Sequence, residues 1–225
     1  MPGTRSSGLL ALGGIALAAV LAVLGHLEVN DNLSPWSLTV SDFAVSDRGG
    51  VIDTAMAVLA AATLVLLPAL LRAGAGRLAG ALLVAWSAGL MAAAVVPTNE
   101  PGLPMDVAAY VHRYASVVAF LALPVGGWLL ARRLGGRAAG WVRGLVLTSL
   151  VLAATMIWSA YPGDRLLIGL VERLLILAEV ALLAVVAATL AGRRTGAAAA
   201  PRGGEHRHLA EVMLRERELT PARGA

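Results

Sequence analysis

Glu172, Arg173 and Glu179 lie inside one long apolar run, and Asp53 and His112 lie just inside two earlier ones. If such runs cross a lipid bilayer, an ionised group at mid-depth costs at least about 2.5–3.5 kcal/mol, so it turns inward and finds a partner. Arg165, Glu172 and Glu179 follow one another at intervals of seven residues. That interval is nearly two helical turns, so the three share a face. Counted from Leu166, Glu172 lies roughly 9 Å and Glu179 roughly 20 Å below the boundary. Arg173 projects about 100° away from Glu172 and is expected to pair with a different helix. His112 and Ser116 are four residues apart and share a face of another helix.

Asp47, Arg48, Asp53, His112, Arg113, Glu172 and Arg173 fall at the same end of their respective runs. The expectation is that they converge in one polar pocket. Three chemistries fit such a set. Arg48, Arg113 and Arg173 could hold an anionic group while the carboxylates orient them. His112 could act as a general base oriented by Asp47 or Asp53, with an arginine stabilising developing negative charge. Glu172 and Glu179 could relay protons. The plain alternative is a buried ion-pair network that only fixes helix register.

Several other chemistries are excluded or unsupported. Without cysteine there is no disulfide framework and no thiolate metal site. His26 and His112 with a carboxylate fall short of the three or four ligands zinc usually takes, and no span holds a His-x-x-x-His pair. No metal, haem or other cofactor is expected. Ser87, Ser116 and Ser159 have no nucleophile signature around them, and there is no phosphate-cradling glycine loop. Ser87 reads as a small residue for helix contact.

Positioning these residues falls to the apolar runs. The chain of 225 residues is 58% hydrophobic and only 14% charged, with a mean hydropathy of +0.78. Six runs are long enough for the roughly twenty residues a bilayer-crossing helix needs. They cover 8–25, 51–71, 78–96, 107–131, 141–160 and 166–190. None alternates residue by residue as a membrane barrel strand would. The first could be read as a cleaved signal peptide after Arg5, but its apolar core exceeds the usual length, and an uncleaved helix is the preferred reading. The fold expected is therefore all-α: a polytopic bundle of six transmembrane helices over 1–191, followed by a tail over 192–225.

Charge placement gives orientation. The net charge of +4 comes from arginine alone, with no lysine, and the arginines flank the apolar spans, which speaks for topology and against nucleic-acid binding. Arg72 and Arg77, then Arg132, Arg133, Arg137 and Arg143, then Arg193 and Arg194 occupy links without acidic neighbours. The remaining links carry Glu28, Asp31, Asp42, Asp47, Glu100, Asp106 and Asp164. Positive-inside places both termini and the arginine-rich links in the cytoplasm. The first outer link, 26–50, is long for a connector. In the tail, an Ala/Gly/Arg/Pro linker precedes a short charged helix, with Leu209, Val212, Met213 and Glu216 at helical spacing. Abundant alanine and arginine-only basicity read as a high-GC coding bias.

Four stretches carry a resemblance: LSPWSLTVSDFAVSDRGG (33–50), VVPTNEPGLP (95–104), YVHRYAS (110–116) and VERLL (171–175). With them the chain resembles a bacterial membrane family designated domain of unknown function 998, over 8–190 but not the tail. The family pattern has an acidic residue after the Pro-Thr pair, where this chain has Asn99 followed by Glu100. The resemblance implies a six-span protein of the bacterial plasma membrane and draws attention to the same outer residues. It implies no activity. Likeness to six- and seven-span lipid hydrolases is only general, since their multi-histidine metal pattern is missing.

The expected function is a non-catalytic, multi-pass membrane protein. Its outward pocket would bind a small anionic molecule, a lipid head group or a partner loop. Two rivals stand beside it: a membrane-embedded enzyme acting on a lipid or envelope intermediate, and a proton-coupled transporter. Oligomeric state is not readable.

Overall fold

The structure is a computed structural model and describes residues 3–28, 33–47, 50–100 and 103–192, with the side chains of Glu28, Ser46 and Asp47 excepted. The tail over 193–225, where the linker and short helix are expected, lies outside the described residues.

The described residues form α1 (Thr4–Glu28), α2 (Val40–Asp47), α3 (Val51–Arg72), α4 (Arg77–Val95), α5 (Val107–Ala131), α6 (Gly136–Ala160) and α7 (Ile168–Gly192). All except α2 are long and apolar enough to cross a membrane, which makes six candidate spans. They coincide with the six runs, each lying within a few residues of its expected bounds. α2 is an addition: the first link is not irregular throughout but folds into an eight-residue helix.

Each long helix packs against its sequence neighbours, and α1 also packs against α7, so the six close into a ring. Without a hydrophobic force between helices in lipid, close approach relies on small residues. A Cβ on Gly8 of α1 would meet backbone atoms of Ala187 and Ala191 on α7. One on Gly89 of α4 would meet the Ala115 carbonyl oxygen and Ala119 on α5. The ring encloses Leu66, Leu83, Leu123, Leu182 and Leu190, all buried, while Val20, Val118, Val151 and Ile157 face outward. That outward apolar surface is what a lipid-facing bundle needs.

The links at one end of the ring are tight. Between α3 and α4 the chain turns through Gly74 and Gly76, both at positive φ, and the Gly74 and Ala75 amides donate back to Leu71 and Leu70. At the other end the links are longer. They hold α2, the 96–106 segment and the 161–167 turn, where Asp164, Arg165 and Leu167 adopt positive φ. That segment ends where the Asp106 carboxylate caps α5 by accepting from the Ala109 amide.

Candidate functional site

α2 begins with a reciprocal cap. The Thr39 amide donates to Asp42 Oδ2 at 2.7 Å, and the Asp42 amide donates to Thr39 Oγ1 at 3.1 Å. This is a capping box with a shorter acid at its third position. Two contacts then tie the start of α2 to α7 and the turn before it. The Val40 amide donates to Glu172 Oε2. Arg165 makes an ion pair with Asp42 at 3.1 Å.

Arg173 holds the segment just before α2. Its Nη1 donates to the carbonyls of Pro35 (3.0 Å) and Leu38 (2.8 Å), and to Gly169 in the preceding turn of α7. Its Nη2 lies 3.0 Å from His26 Nε2 on α1. His26 Nδ1 lies 2.7 Å from the Ala22 carbonyl, which can only accept. Nδ1 therefore carries the proton, and Nε2 accepts from Arg173. The guanidinium also sits 4.8 Å from the centroid of the fully buried Phe43 ring, on which His26 stacks at 5.0 Å. A planar donor fork with a stacking face suits this task better than an ammonium.

His112 ties α5 to two other elements. Its Nδ1 lies 2.8 Å from the carbonyl of Val96, the residue capping α4, and its Nε2 lies 2.9 Å from Ser41 Oγ on α2. The same acceptor argument gives Nδ1 the proton and makes Nε2 the acceptor of the Ser41 hydroxyl. Ser116, which shares the His112 face, donates to the His112 backbone carbonyl rather than to its ring.

Two cavities adjoin these groups. One, of about 570 Å³, is lined by Ser41, Asp53, His112, Asn99, Glu100 and apolar residues of α2 and α4. The other, of about 430 Å³, lies among α1, α3, α4, α5 and α7 and is mainly apolar. Its polar lining residues include Glu172, Arg173, Glu179 and Trp86. Trp86 Nε1 donates to Glu179 Oε2 at 3.2 Å. Among the described residues, the other Glu179 oxygen is buried without a hydrogen-bond partner. Ser41 is the residue that lines both cavities.

The expected convergence of seven residues divides accordingly. Asp53 and His112 line the polar cavity, and Glu172 and Arg173 line the apolar one. Arg113 is exposed and lines neither. One residue is about 100° of helix, so a buried His112 turns its successor outward. The Asp47 side chain and Arg48 lie outside the described residues. The separation has a physical cause: the carbonyls of the 35–38 turn need donors and the first turn of α2 needs an acceptor, and Arg173 and Glu172 supply them. Of the three arginines expected to hold an anion, Arg173 fastens the 35–38 turn and Arg113 is exposed, while Arg48 lies outside the described residues. Among the described residues, no three His, Asp or Glu side chains gather to hold a metal ion.

Ser41 and the Val96 carbonyl were not among the expected site residues. The signal for Ser41 was present in the Thr39–Asp42 spacing, which marks a helix start and puts Ser41 in its first turn.

No curated protein and no solved structure matches the chain. The family model described as protein of unknown function, DUF998, matches residues 11–189, from α1 to α7, and the chain belongs to that family.

Proposed function

We propose that this is a plasma-membrane protein that binds an amphiphile. Its polar part would occupy the cavity between α2, α3 and the α4–α5 link, and its hydrocarbon part the adjoining apolar cavity. The observation that carries this reading is that a cavity of mixed polarity and a mainly apolar one share a lining residue, Ser41. Pockets of this size are typical of small-molecule sites. The described polar lining includes Asp53, Asn99 and Glu100.

Filling the polar cavity tests the reading. Ala94 lines it from α4, so Ala94→Phe places its ring in open space rather than in the packed core. The protein purified from membranes should retain a defined lipid by native mass spectrometry, and the variant should retain at least about tenfold less, the equivalent of about 1.4 kcal/mol. Equal retention by the two would assign the lipid to the outer surface of the bundle and remove the reading.

The orientation belongs to the same proposal. Arg72, Arg77, Arg132, Arg133 and Arg137 occupy the end opposite α2, which supports a cytoplasmic position for that end and for both termini. Since the chain has no cysteine, single substitutions report without background. Leu103→Cys should react with a membrane-impermeant maleimide in intact cells, and Arg137→Cys only after permeabilisation. Both positions are exposed, so the reverse pattern would invert the topology.

The transporter reading is less well supported. Beyond Glu179, α7 presents Leu182, Leu183, Val186, Ala187 and Leu190, all buried among Leu66, Leu70 and Leu130. Among the described residues, that stretch of α7 presents no ionisable side chain.

A further inference from the structure

We propose that Ser41 is a nucleophile and His112 its general base, and that the pair cleaves a carboxylic ester joining the polar and hydrocarbon parts of the bound amphiphile. The substrate class rests on the binding reading above. The chemistry rests on hydrogen-bond geometry.

A serine hydroxyl is a poor nucleophile until a base within hydrogen-bond reach takes its proton, with that base oriented by a third group. Ser41 Oγ lies 2.9 Å from His112 Nε2, and His112 Nδ1 lies 2.8 Å from the Val96 carbonyl. The carbonyl fixes the tautomer that leaves Nε2 free to accept, which is the task a carboxylate performs in the familiar serine triads. All three parts are held. His112 is 6% exposed. Val96 caps α4, with its amide bonded to Ala92. α2 is fastened by Glu172, Arg165 and its own capping box.

Position gives the substrate. Ser41 lines both the cavity of mixed polarity, with Asn99 and Glu100, and the mainly apolar one. The bond presented to it is therefore the one where an amphiphile changes from polar to hydrocarbon, and in a glycerolipid or lysolipid that bond is a carboxylic ester.

The Ser41 amide can supply a donor for the developing oxyanion. The first-turn amides of a helix lack intrahelical acceptors. The Val40 amide is taken up by Glu172 and the Asp42 amide by Thr39. Among the described residues the Ser41 amide has no acceptor, and it belongs to the residue that carries the hydroxyl. A backbone donor at the attacked carbonyl oxygen is the usual means of stabilising such a charge.

Ser41 Oγ bonds to the ester carbonyl carbon while its proton passes to His112 Nε2. The bond from that carbon to the alcohol oxygen breaks, and the alcohol leaves with the proton from Nε2. Water then attacks the acylated Ser41, giving one proton to Nε2. The fatty acid departs as Ser41 Oγ recovers that proton.

The test uses the full chain in lipid nanodiscs and a fluorophosphonate bearing a long alkyl chain. Attack by Oγ on its phosphorus expels fluoride and leaves a stable adduct. Mass spectrometry should find the adduct on Ser41. Ser41→Ala should abolish it, and His112→Gln should slow it by about 10²–10⁴-fold, the range for loss of a general base. A second pair guards against loosening of α2. The thiol of Ser41→Cys should be alkylated by iodoacetamide more slowly when His112 is also replaced by Gln. Each protein is checked for retained lipid. Wild-type protein that keeps its lipid but gains no adduct on Ser41, or rates that ignore His112 in both pairs, would overturn the inference. Labelling of Ser41 in protein that never retains lipid would instead remove the binding reading and leave the nucleophile standing.

Discussion

Replacing Arg173 with methionine is expected to destabilise the bundle by about 2–3 kcal/mol, because a buried acceptor left without its donor costs about 1–3 kcal/mol and the three acceptors here are partly buried. The carbonyls of Pro35 and Leu38 and Nε2 of His26 all lose their partner together. The stacking on Phe43 goes as well, and such contacts contribute about 0.5–2 kcal/mol. A thermal melt in detergent measures the loss. Arg173→Lys should fail to restore stability, because one ammonium cannot span two carbonyls and an imidazole while lying flat on a ring. His26→Ala should cost less than Arg173→Met, since it leaves the bonds to Pro35 and Leu38 intact. Equal melts for Arg173→Met and the unmodified chain would show that the 35–38 turn is held by something else.

Gly169→Ala should be nearly as damaging, for a steric reason. Gly169 sits in the first turn of α7, and its amide donates to the Trp36 carbonyl at 3.1 Å. A Cβ there would run into the carbonyl oxygens of Leu38 and Pro35. Both are backbone atoms and cannot swing aside as a side chain can. Over-packing of this kind typically costs about 1–3 kcal/mol. Here the link must lift from α7, which strains the Arg173 bonds and the Glu172 contact with Val40 at once. Lipid retention should therefore fall further than the melt alone accounts for, since α2 carries Ser41. Gly144→Ala, where nothing lies within 4 Å of the new methyl, is the matched control. In a helix interior it should gain roughly 0.5–1 kcal/mol. Identical melts for the two alanine variants would refute the close packing of the link on α7.

The six spans could be read from the sequence because burial in lipid imposes length and apolarity on every residue of a run. That constraint is averaged over about twenty positions, so no single residue can mislead it. α2 could not be read this way. It has eight residues, it is not uniformly apolar, and it lies in a link rich in Ser and Asp. Its one clear mark was local, the Thr39–Asp42 box. For the ionisable residues, depth and helical face were legible, and so was the need of Arg173 for a partner on another helix. Which partner was not. His26 is 147 positions away, and only the closing of α1 onto α7 brings it near. Collecting charged groups because they share one end of the bundle was too coarse. Arg173 is engaged in fastening a link and Arg113 faces outward, while a neutral hydroxyl on an unrecognised helix completes the pairing with His112.

The closure of the ring by α1 and α7 bears on how the protein is made. During synthesis α1 finds one of its two neighbours early, in α3, and the other only when α7 has been inserted. Until then the groove that α7 will fill stands open to lipid. The turn ahead of α2 lacks the donor that Arg173 brings, and His26 offers Nε2 to nothing on α7. A chain halted before α7 thus carries the marks of incompleteness on its surface, where membrane proteases and chaperones can detect them. Fastening α1 to α7 makes the closed ring distinguishable from one that stops at α6.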